Sequence, residues 1–179
     1  MKIILSAIFL LLSFVQINAQ PSAPLKSKTI SITAKVDRRI ELTSIIARLA
    51  GYREYMRDDF KSYVSEVDKY FAAHKNHPAD QFAGKVRESN RISFDAVPSL
   101  AVHLNQNLTP KFPFSDSAPD SRWGKKAAEE FAKLLQQFYR DAACEKFFIA
   151  QAGLYKTAED RMQRVIDKVD FGWYKKFYG

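Results

Sequence analysis

The sequence predicts a mainly helical domain of about five to six helices with one N-terminal β-strand. Three observations carry that prediction. Apolar residues recur at helical spacing over most of the chain beyond residue 37. Sustained alternation of apolar and polar residues occurs in one stretch, residues 29–36. Proline and turn-forming residues gather in one stretch, residues 105–120, which joins two helical halves, 29–105 and 120–179, of a single domain.

In residues 29–36, Ile30, Ile32, Ala34 and Val36 face one way and Ser31, Thr33 and Lys35 the other, as in a half-buried strand. A lone strand needs a pairing partner. Asp37 then stands where an N-cap belongs, and Leu42, Ile45, Ile46 and Leu49 form one face of the first helix. Gly51 follows as its left-handed cap. The second helix is expected over residues 58–74, with Asp58 and Asp59 at its start and Phe60, Tyr63, Val64, Val67, Tyr70 and Phe71 on its apolar face. His77 and Pro78 open a third helix that ends near Asn90. Ser93 is the expected cap of a fourth, whose apolar residues are Phe94, Val97, Leu100, Ala101 and Leu104. After the proline-rich loop, Asp120 or Ser121 caps a long helix to Asp141 with a core face of Phe131, Leu134, Leu135 and Phe138. A last helix is expected over residues 143–169, carrying Phe147, Phe148, Leu154, Tyr155, Met162, Val165 and Ile166, with Gly153 as a kink.

At 179 residues the chain has room for one domain with a real core. Residues 1–19 read as a signal peptide: Lys2, an apolar run to Val15, then Ile17-Asn18-Ala19 as a cleavage site. The run is too short for a comfortable permanent span, so the expected location is secreted or periplasmic. Residues 20–28 are a flexible tether. The formal charge of +8 falls to +7 without the leader, whose one charged side chain is Lys2. Cations are interspersed with acids rather than run together, which argues against a nucleic-acid partner. The single cysteine, Cys144, excludes an internal disulfide and a multi-cysteine zinc site, and lies in a helical period as a small buried apolar residue.

No sequence signature of catalysis is present. No histidine is followed by the glutamate of the two-histidine zinc helix, and there is neither a phosphate-binding glycine loop nor a nucleophile elbow. The metal-ligand candidates to test are His74, His77 and His103; each also reads as a structural or solvated histidine. Ser99 and His103 form a helical i, i+4 pair, and the acid pairs Asp58/Asp59 and Glu129/Glu130 read as caps and solvated faces. Arg38 and Arg39 read either as the polar side of a capped helix or as a grip for a carboxylate or phosphate. The C-terminal run FGWYKKFYG places Phe171, Trp173, Tyr174, Phe177 and Tyr178 together as an interaction surface that needs cover, from a further half of the same protein or from a partner protein.

Three segments, VDRRIELTSIIARLAGYREY, YVSEVDKYFAAHKNHPA and ISFDAVPSLAVHLN, with RWGKKAAEEFAKLLQQFYRDA and FGWYKKFYG after them, resemble a domain-of-unknown-function family of secreted bacterial proteins. Longer members of that family look like zinc-dependent peptidases, with a His-Glu-x-x-His helix downstream of the segment matching FGWYKKFYG. The resemblance implies a non-catalytic N-terminal region, inactive alone, with zinc belonging only to the longer members. No metal ligand or catalytic glutamate is carried over, because no position here matches one. The alternative reading is a complete extracytoplasmic binding module with a groove near the proline-rich loop.

Overall fold

The computed structural model describes residues 32–178, and these are helical throughout most of their length. Eight α-helices follow one another: α1 (Arg38–Leu49), α2 (Lys61–Tyr70), α3 (Pro78–Asn90), α4 (Ala96–Val102), α5 (Gly124–Asp141), α6 (Cys144–Ala150), α7 (Ala152–Ile166) and α8 (Phe171–Tyr178). Short 3-10 turns lie at Arg53–Tyr55 and Ala72–His74.

Helix α1 starts as its sequence dictates. The Asp37 carboxylate accepts the Arg39 N–H at 2.9 Å, filling one of the unpaired donors of the first turn. Gly51, at φ +78°, ends the turn in a conformation that a side chain would strain. Leu42, Ile45, Ile46 and Ala47 are buried and set α1 at the centre, packed on α3, α4 and α5. The two halves therefore share one core, in which α3 also lies against α5. Phe71 stacks on Phe138 at 5.7 Å and meets Phe147 edge-on at 5.0 Å. Each such side chain taken fully from water contributes roughly 1.5–3 kcal/mol.

The proline-rich loop is less of a break than its composition implies. Leu108 and Phe114 are buried. Trp123, just beyond the loop, is also buried, stacks on Phe131 at 5.0 Å and donates its indole N–H to the Ala96 carbonyl at 2.7 Å. Single antiparallel bridges, Leu104 with Pro110 and Ser115 with Ala118, close its turns.

Several sequence expectations are corrected. The described residues hold eight α-helices rather than five to six, because the stretch 143–169 divides into α6 and α7 and the C-terminal run forms α8; the stretch 58–74 shortens to α2 plus a 3-10 turn. The division falls at Gln151 rather than Gly153; α6 turns Phe147 and Phe148 into the core and the chain then leaves it. Leu154, Met162 and Val165, counted among the apolar residues of that last helix, are exposed, and no other described element covers that side of α7. Phe60 and Phe94 are exposed as well, each lying ahead of its helix rather than on it. Asp95, not Ser93, immediately precedes α4, and α5 begins at Gly124, with Asp120 accepting the Arg122 N–H in the turn before it.

The expected strand begins at residue 29, and residues 29–31 lie outside the described residues, as do the leader and tether. Over residues 32–36 the backbone runs along α7. The Ala34 and Val36 N–H groups donate to Gln163 Oε1 and Glu159 Oε1, both at 2.9 Å, and Gln163 Nε2 donates to the Ile32 carbonyl at 3.2 Å. Side chains of a helix thus satisfy this segment's backbone where a neighbouring strand would otherwise be needed.

Candidate functional site

The groups singled out for chemistry are committed to the fold. His77 caps α3: its Nδ1 accepts the Ala79 N–H at 3.1 Å, which leaves the ring proton on Nε2, 3.2 Å from Asp141 Oδ2. His103 donates Nδ1–H to the Ser99 carbonyl at 2.7 Å, and the Ser99 hydroxyl donates to the Ala96 carbonyl, so the two side chains do not form a nucleophile–base pair. His74 stands edge-on to Phe138 at 6.2 Å. Among the described residues no three His, Cys, Asp or Glu side chains come together to hold a metal ion.

The arginine pair is occupied too. Arg38 forks onto Glu145 at 2.9 and 3.0 Å, while Arg39 binds Asp37 and the Leu104 carbonyl. Arg48 is held by both Asp68 oxygens at 2.8 and 2.7 Å. Asp58 lies 3.6 Å from Arg48, and Asp59 pairs with Arg57 at 2.8 Å. Cys144 is buried with Sγ 3.7 Å from the Phe138 carbonyl, and burial pushes its thiol up to about 12.

Two polar clusters have no sequence signature, because their members are distant in the chain. In the first, the Tyr63 hydroxyl donates to Glu41 and lies 3.0 Å from the Tyr155 hydroxyl, tying α1, α2 and α7 together. Burial raises the Glu41 carboxyl above the ordinary glutamate range, and the Tyr63 hydrogen bond partly offsets that. In the second, Arg87 lies 4.4 Å over the Tyr52 ring and grips Glu54 at 2.8 and 3.0 Å. Glu54 also accepts the Phe94 N–H at 3.3 Å, holding Phe94 at a left-handed φ of 45°.

The remaining candidate is the C-terminal surface. Asp170 caps α8 by accepting the Trp173 N–H at 2.9 Å. At 100° per residue, Phe171, Trp173, Tyr174, Phe177 and Tyr178 fall within an arc of roughly 160°, with Lys175 and Lys176 on the other side. Trp173 stacks on Phe177 at 5.0 Å and Tyr174 on Tyr178 at 5.9 Å. Trp173 and Tyr174 are each 50% exposed and Phe177 67%. Ahead of it, Leu154, Ala158, Met162 and Val165 recur along one exposed side of α7, Met162 at 54% and Val165 at 59%. No helix of the described residues is long and apolar enough to cross a membrane.

Comparison with protein-family models, with curated proteins and with solved structures gives no match for this chain.

Proposed function

We propose that the chain is a non-catalytic helical module, exported from the cytoplasm and inactive by itself, and that it acts by docking through the surface of α7 and α8. The observation that carries this reading is the contrast between the two kinds of group. Histidines, paired arginines and the cysteine are tied into the fold, whereas a run of aliphatic and aromatic side chains lies open to water. Such a surface on an otherwise well-packed domain is a docking face. The family resemblance supports placing the module beside the reaction centre of a zinc-peptidase-like protein, and the expected partner is a further half of that protein or another protein.

The test is metal analysis after incubation with zinc and dialysis, together with peptide hydrolysis by the same sample. The expected result is no stoichiometric zinc and no cleavage. Zinc retained one-to-one, and lost on His77→Ala or His103→Ala, overturns the reading.

A second reading, a self-sufficient binding module, draws on a cleft of about 240 Å³ beside the proline-rich loop, lined by Gln106, Asn107, Gln136, Tyr139 and Arg140. Its amide-rich lining suits a small polar ligand. A ligand whose binding is lost in Gln136→Ala but kept in Trp173→Ala favours this second reading.

A further inference from the structure

The charges around the C-terminal surface are as particular as its apolar groups. Residues 152–178 carry four acids, all engaged. Glu159 takes Lys35 and the Val36 N–H, Asp160 takes Lys156, Asp167 accepts from Gln163 at 2.8 Å, and Asp170 caps α8. Of the six cations in the same residues, only Lys156 is ion-paired among the described residues. Arg161, Arg164 and Lys168 lie along one flank of the exposed α7 stripe, and Lys175 and Lys176 lie opposite the α8 aromatics.

The side chains on α8 are those favoured where apolar and aqueous phases meet. Trp and Tyr place an apolar ring in one phase and a polar tip in the other. The Trp173 indole N–H and the Tyr174 and Tyr178 hydroxyls have no hydrogen-bond partner among the described residues. A helix of two turns offers too little length for an extended helix–helix seam. A second copy of the chain would set five unpaired cations against five more. An anionic surface answers both features at once: rings enter at headgroup depth while lysine stems reach back to the phosphates.

We propose that α8, with the exposed stripe of α7, seats on an anionic lipid surface. This rests on the reading of the α7 and α8 face as a docking surface and assigns that face to lipid in place of a protein partner. The rings of Trp173, Phe177 and Tyr178 enter the headgroup layer, and Lys175 and Lys176 bind phosphate oxygens from the solvent side.

The test uses the protein as exported and purified, with vesicles of phosphatidylcholine alone or with about 30% phosphatidylglycerol. The chain has two tryptophans. Trp123 is buried, so a change in emission reports Trp173. The expected result is co-sedimentation and a blue shift with the anionic vesicles alone, both weakened between about 0.1 and 0.5 M salt. The double variants Lys175→Glu/Lys176→Glu and Phe177→Ala/Tyr178→Ala each lower partitioning by about tenfold or more, with unchanged melting. Absence of binding to anionic vesicles, or equal binding to both kinds, overturns the proposal. If vesicles fail and the chain self-associates through Phe177 and Tyr178, the lipid assignment falls and the docking reading stands. If Trp173 in the free chain is already shielded from iodide quenching, both fall.

Discussion

Cys144 and Glu41 show how burial changes the chemistry of a single side chain. With its thiol pushed up to about 12 and no open route to it, Cys144 is a packing residue. Thiol reagents at neutral pH are expected to leave it unlabelled in the native protein and to label it fully in denaturant; rapid native labelling would contradict this. Glu41 is the reverse of the usual acid. Its folded-state value is raised, so the stability it contributes is present below the ordinary glutamate value of about 4.3 and is lost as pH rises through the folded value. Glu41→Gln should therefore melt higher than the wild type at neutral pH, with the gap closing on acidification. Asp68 carries the opposite sign. Arg48 holds it below the ordinary aspartate value, so its contribution is present at neutral pH and is lost as pH falls through that lowered value. Asp68→Asn should cost stability near neutrality and nothing in strong acid, measured by denaturant melts across pH.

Helices with the same periodicity differ sharply in what they support. Phe138 on α5 is fully buried between Phe71 and the ring of His77, and Phe138→Ala should cost about 3–5 kcal/mol in denaturant unfolding. Leu154→Ala on α7 should cost far less, about 1 kcal/mol, because Leu154 is already 42% exposed. The lead into α4 is strained at Phe94, and Phe94→Gly should gain about 1 kcal/mol by relieving the left-handed backbone while giving up a ring that is 66% exposed. Helix α7 is held at its first turn by Tyr155 and along its length by the chain ahead of α1. Gln163→Ala should accelerate amide exchange at Ala34 with little change in global stability; unchanged exchange there would mean the segment is held by other contacts.

Across the whole molecule, local signals were legible and non-local ones were not. The Asp37 cap, the α1 core face, the His77–Pro78 opening of α3 and the phenylalanines of α5 follow from i, i+3, i+4 spacing and cap chemistry, which act over a few neighbouring residues. The polar clusters of Glu41 with Tyr63 and Tyr155, and of Arg87 with Glu54 and Tyr52, rest on hydrogen bonds between residues 22, 92 and 33 positions apart, and no spacing rule reaches that far. The aromatic character of residues 171–178 could be read directly, but not that α7 shares its exposure. An amphipathic stripe shows that a helix has an apolar face and is silent on whether anything covers it. By itself the sequence determined the helical class, the caps and which residues are apolar. Tertiary structure alone decided that His77, His103, Arg38, Arg39 and Arg48 are tied into the fold, that Leu154, Met162 and Val165 face water, and that the exposed surface of α7 and α8 carries cations unpaired among the described residues. The physical reason is that burial and charge pairing depend on which distant elements meet, whereas helix formation depends mainly on residues within a turn or two.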